Sequence, residues 1–165
     1  MLNVETAVGS GWGDEQEWID LARRAVRAAL GVSPFANLID KQVDVEVAVK
    51  LSDDGEVQDL NTNYRGKDKP TNVLSFPMVQ PDLLQSLENS DDGEALLGDI
   101  ILARETCARE AEDKGVSMAQ HATHLIAHGT LHLLGYDHEN EPDAERMEEL
   151  EVKALATLGL ANPYS

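Results

Sequence analysis

Hydrophobic and polar positions alternate most cleanly at Val43-Asp-Val-Glu-Val-Ala-Val-Lys50, where valine recurs at every second residue. Successive side chains of a strand point to opposite faces, so this pattern predicts a strand with one face on a core. Weaker alternation predicts a first strand over 2–7. Apolar runs at Thr71–Phe76, stopped by Pro77, and at Leu96–Ala103 predict two more. Elsewhere the period is helical. Over 14–30, Trp18, Ala22, Ala25 and Ala29 share a face, with Ile19, Val26 and Leu30 beside them, and Asp14 followed by Glu17 opens the helix as a capping box. Ser52-Asp-Asp-Gly55 is a turn that caps a short helix with Val57, Leu60 and Tyr64 on its inner face, ended by Gly66. Residues 79–95 are polar, with Pro81 and the run Asn89-Ser-Asp-Asp-Gly93, and predict a surface loop with a helical turn at Leu83–Leu87. A helix over 104–113 ends near Gly115. Another starts at Ser117, with Gln120 in the capping-box position, and stops at Gly135. A last amphipathic helix covers 141–158, with Met147, Leu150, Ala154 and Leu158 along one face. The pattern gives four strands mixed with about five helices, without repeats or a linker, and predicts one domain over residues 1–165.

Composition narrows the setting. With 165 residues, 42% of them hydrophobic, the chain can build one substantial core. No apolar run is long enough to span a bilayer, and Met1-Leu-Asn-Val-Glu-Thr lacks the basic and apolar regions of a signal peptide, so a cytoplasmic protein with no membrane partner is expected. Cys107, the single cysteine, has alanine neighbours and reads as a packed thiol, which fits a reducing compartment. The formal net charge of −18 argues against a general nucleic-acid binder, and no DNA partner is expected. The distribution qualifies this. Arg65, Lys67 and Lys69 form a local basic patch, whereas acidic residues gather at 88–94 and 139–151, blocks that read as solvated faces.

The chemistry lies in His128-Gly-Thr-Leu-His132-Leu-Leu-Gly-Tyr-Asp-His138. At about 100° per residue, His132 sits roughly 40° round from His128 and about 6 Å further along a helix, so both imidazoles can grip one metal ion. Gly135 can reverse the chain and return His138 as a third ligand. Three protein ligands leave one coordination position open for chemistry. His121 and His124 share the stripe, but His124 is about 12 Å from His132 and reads as a groove residue with a structural role. The other sides of the helix are apolar, which places it, and the site, in the core. Gly129 stands where the His-Glu-x-x-His metalloproteases carry their general base, so peptide hydrolysis by that route is disfavoured.

The motif resembles the signature of the YbeY endoribonucleases. Asn61-x-x-Tyr-Arg65-x-x-Asp68-x-x-Thr71-x-Val-Leu-Ser-Phe76 and Leu97-Gly-Asp-Ile-Ile101 resemble two further blocks of that family, in the same order. Two positions depart from its common pattern: Asn72 stands for an aspartate and Ala103 for a serine. The resemblance implies an α+β fold with a mixed four-stranded sheet and about five helices, in which the apolar histidine helix would be central and buried. It also implies single-strand-specific endoribonuclease activity, maturation of the three-prime end of small-subunit ribosomal RNA, and ribosome quality control.

The expected enzyme holds Zn²⁺ on His128, His132 and His138, although three histidines also accept nickel, cobalt or copper. By position alone Arg65 reads as a solvated helix-end arginine; the resemblance makes it the residue that binds the scissile phosphate. Lys67 and Lys69 would attract the backbone of single-stranded ribosomal RNA, with the ribosome or small-subunit proteins as further partners. Asp68 either orients Arg65 or a water, or serves its turn, and Asp137 either orients a ligand histidine or bonds within its loop. Two alternatives stand beside this reading. One is a non-catalytic, metal-binding ribosome-associated factor in which Glu139, Glu141 or Asp143 closes the metal site. The other is a metallohydrolase of another substrate.

Overall fold

The structure, a computed structural model, describes residues 1–88 and 93–164. Its elements follow in the order β1 (Leu2–Val8), α1 (Glu15–Val32), a 3₁₀ turn (Ala36–Ile39), β2 (Asp44–Ser52), α2 (Asp54–Arg65), β3 (Val73–Pro77), α3 (Pro81–Glu88), β4 (Glu94–Ala103), α4 (Arg104–Lys114), α5 (Met118–Leu133) and α6 (Glu141–Thr157). The four strands form one sheet in the order β1-β2-β4-β3. β1 and β4 run parallel to β2, whereas β3 is antiparallel to β4. This is the mixed four-stranded α+β arrangement expected, with six α-helices rather than about five.

The valines of β2 decide which face is covered. Val45, Val47, Val49 and Leu51 are buried and join Ile100 and Leu102 of β4 in the main core with α1, α5 and α6. On the opposite face α2 lays Val57 against Leu74, Ile101 and Ala103, with Leu60 and Phe76 partly covered. The caps read from sequence are made: Asp14 and Asp53 accept the amides of Glu17 and Glu56, and Ser117 with Gln120 forms a reciprocal capping box. Cys107 is fully buried, and burial pushes its thiol up to about 12, as befits a packing residue.

Two expectations need correction. The segment read as a loop with one helical turn is a helix of eight residues, α3, because Leu84 is fully buried and anchors it. A proline opening a helix loses nothing, since the amide it lacks has no partner in the first turn. Asn89–Asp92 of the same run lie outside the described residues. Tyr64 was placed on the inner face of α2, but it is 70% exposed, with its ring edge-on to that of Phe76 at 5.4 Å. Among the described residues no helix is long and apolar enough to cross a membrane.

Helix α5 runs through the centre, with eleven of its sixteen residues buried, which marks it as a core helix rather than an amphipathic surface one. Its approach to β4 explains Gly129. A Cβ there would lie 3.0 Å from Ile100 Cγ2 and 3.3 Å from Cγ1, so any side chain at the metalloprotease base position would crowd Ile100 of β4. Gly129→Ala is therefore expected to overpack this contact and cost about 1–3 kcal/mol, a fall of several degrees in Tm. An unchanged Tm in thermal denaturation would show that the Ile100 side chain gives way without cost.

Candidate metal centre

The histidines are positioned by the end of α5. Leu134 closes the helix and Gly135 follows at φ 96°, a left-handed conformation that suits glycine. The amides of Gly135 and Tyr136 donate to the carbonyls of His132 and Leu131, which satisfies the last turn and folds the chain back over it. His138 returns by this reversal. The ring centroids of His128 and His132 are 4.6 Å apart, and His138 stands 5.6 Å and 5.1 Å from them. One nitrogen from each lies within 4.8 Å of the others, in a group able to hold a metal ion; among the described residues no carboxylate joins it.

The hydrogen bonds fix which nitrogens face inward. His128 Nδ1 lies 3.0 Å from Glu151 Oε1, and His132 Nδ1 lies 2.9 Å from the Tyr136 carbonyl oxygen. A carboxylate and a carbonyl only accept, so both Nδ1 atoms carry the proton and both Nε2 atoms present a lone pair. Those Nε2 atoms face each other at 3.0 Å. Two lone pairs at that separation repel unless a cation lies between them, and two nitrogens bound to one ion at about 2 Å stand roughly this far apart. The donor set thus fits a transition metal. Burial, reinforced by the neighbouring His128 and His138, pushes His132 down to about 4, which keeps it neutral and able to donate its lone pair.

Glu151 is the residue sequence reasoning missed. It belongs to the acidic block read as a solvated face, yet it is 1% exposed. Its Oε1 accepts from His128 Nδ1, from His124 Nε2 at 2.8 Å and from the Tyr164 hydroxyl at 3.0 Å. Burial alone would raise its pKa, but the bonds from His124 and His128 outweigh that and hold the carboxyl at about 2. The signal lay in spacing. Glu151 falls one turn after Met147 on the apolar stripe of α6, where a carboxylate needs buried partners. His124 therefore has the structural role expected of it, gripping the carboxylate that orients His128. His121 bonds Glu110 at 2.8 Å, apart from the three converging imidazoles.

The three histidines open on a cleft of about 990 Å³ that β3 and the end of α2 also line. Arg65 lines it and, among the described residues, its guanidinium makes no hydrogen bond or ion pair. Lys67 and Lys69 are exposed on the following loop and do not line the cleft. Asp68 accepts from Gln58 Nε2 and Thr62 Oγ1, which gives it the turn role, and Asp137 accepts from the His138 amide within its own loop. Asn72 donates to Glu110 Oε1 at 3.0 Å, a bond an ionised aspartate cannot make, and Ala103 leaves α4 without a side-chain cap.

A family model described as Endoribonuclease YbeY matches residues 10–159. A Sphingopyxis alaskensis protein named Endoribonuclease YbeY is 64% identical over 100% of this chain and 98% of its own length. One of the same name from Zymomonas mobilis is 47% identical, over 100% and 94%. A solution structure from Thermotoga maritima shares the fold, with a TM-score of 0.55 at 22% identity, over 96% of this chain and 92% of that one. Matches that run nearly end to end, at identities this high, leave no room for a coincidence of motifs, and the chain belongs to the YbeY endoribonuclease family.

Proposed function

We propose that the chain is a metal-dependent endoribonuclease, a hydrolase of single-stranded RNA that works as one domain in the cytoplasm. Its role is to mature the three-prime end of small-subunit ribosomal RNA and to take part in ribosome quality control, in contact with the ribosome. His128, His132 and His138 hold one zinc ion, and Arg65 binds the scissile phosphate. The observation that carries this reading is one cleft lined both by three converging imidazoles and by a guanidinium unpaired among the described residues. The names borne by its relatives supply the substrate class.

A bound zinc ion supplies Lewis-acid polarisation of a phosphoryl oxygen and activates water near neutral pH. The chain does the rest. Glu151 and the Tyr136 carbonyl keep the protons of His128 and His132 on Nδ1, so that Nε2 faces the cleft. The planar fork of Arg65 binds two phosphate oxygens and neutralises the charge that grows there. Lys67 and Lys69 draw the RNA backbone to this patch, while the net charge of −18 repels it elsewhere. A closed structural site is disfavoured because no carboxylate completes the donor group among the described residues, and peptide hydrolysis because Gly129 lacks the base.

The test is cleavage of single-stranded RNA by the zinc-loaded chain beside its Arg65→Ala and His128→Ala variants. Equal cleavage by all three would assign the activity to a contaminant. The support for His128 has its own consequence. Glu151→Gln weakens the bond that orients the ring, and metal affinity is expected to fall about 10–100-fold in titration against a competing chelator. Affinity equal to the parent's would leave Glu151 a purely structural role.

A further inference from the structure

β3 is the last strand of the sheet, and its unpaired edge runs along the metal cleft. The register says which backbone groups lie there. Asn72 O accepts the Ala103 amide and the Met78 amide donates to Leu97 O, so the even-numbered positions of β3 bond to β4. Val73, Ser75 and Pro77 therefore turn their backbone groups outward. The Val73 amide is taken by Asn72 Oδ1 at 2.7 Å, and Pro77 has no amide. Among the described residues, Ser75 alone offers from this edge an unpartnered N–H, with its C=O beside it on the same side.

That couple has a natural complement. Every RNA base carries, on the edge it uses for Watson–Crick pairing, a hydrogen-bond acceptor next to a donor: N1 and the amino group of adenine, N3 and the amino group of cytosine, O6 and N1–H of guanine, O4 and N3–H of uracil. We propose that the Ser75 backbone reads this edge of an unpaired nucleotide lying in the cleft beside the metal centre. The inference rests on the ribonuclease reading and gives it a physical basis for strand selection. A base inside a duplex has the same edge occupied and cannot dock, and because all four bases present the pattern the contact is indifferent to sequence. A backbone strip unpaired along one side of a metal cleft would also suit an extended peptide, but Arg65 in the same cleft favours a phosphodiester chain.

Ser75→Pro removes the outward N–H without touching a bond to β4, and proline is tolerated on strand edges. Ser75→Ala keeps the amide and removes only the hydroxyl. Acting on a single-stranded oligoribonucleotide, zinc-loaded Ser75→Pro is expected to show KM raised about tenfold at a Tm near the parent's, and Ser75→Ala a KM within about twofold. A second arm needs no variant. An oligouridylate with 3-methyluridine throughout has this edge blocked, and the parent should cleave it about tenfold less efficiently than unmodified oligouridylate. Equal cleavage of both by the parent, or a well-folded Ser75→Pro with the parent's KM, overturns the inference and leaves the ribonuclease reading standing. Cleavage of a peptide and of neither RNA overturns both.

Discussion

His132→Ala is expected to strip the chain of its metal and lower RNA cleavage at least about 1,000-fold, because Lewis-acid and nucleophile activation together contribute several kcal/mol to a hydrolytic barrier. The loss follows from the position of the ring. His132 Nε2 faces His128 Nε2 at 3.0 Å, and the Tyr136 carbonyl fixes its tautomer. Without it two donors remain, one of them on the exposed loop. Elemental analysis should find about one zinc per parent chain and almost none in the variant. Metal that binds only the folded state raises Tm, so added zinc should stabilise the parent and leave His132→Ala unmoved. His121→Ala serves as the control. It empties a buried position and breaks the bond to Glu110, so it should lower Tm yet keep the metal. Full metal content in His132→Ala would remove this residue from the centre.

Such contrasts show what a sequence displays openly and what it conceals. The three histidines were legible because α5 and Gly135 bring them together within eleven residues, where helical geometry alone sets the distances. The four strands were legible because each carries its own apolar pattern. What escaped was set by distant parts of the chain. Glu151 looks like one more acidic residue until α6 packs on α5 and aims it at His124 and His128. α3 looks like polar loop because only the fold supplies a burial site for Leu84. Tyr64 has the spacing of an inner-face residue, but the fold leaves it 70% exposed between two open cavities. The outward couple of Ser75 depends on strand order and register, neither of which one segment encodes.

Arg65 joins both kinds of information, since its neighbours in sequence are ordinary and its place in the cleft is tertiary. Arg65→Ala is expected to lower kcat about 100- to 1,000-fold, the range for losing one charge-stabilising donor in a hydrolytic site. Metal content and Tm should not change, because the side chain is exposed and makes no hydrogen bond or ion pair among the described residues. Arg65→Lys should recover part of the loss, since it restores the charge without the two-pronged geometry. Salt dependence supplies an independent reading. On single-stranded RNA each neutralised phosphate contributes about 0.7 to the slope of log affinity against log salt, so removal of one phosphate contact should flatten the slope by that amount. If Arg65→Ala cleaves within twofold of the parent, or loses its zinc, the arginine is not on the phosphate. A large fall in kcat with metal and fold intact would leave Arg65 acting on the substrate, in the cleft it lines with the three histidines.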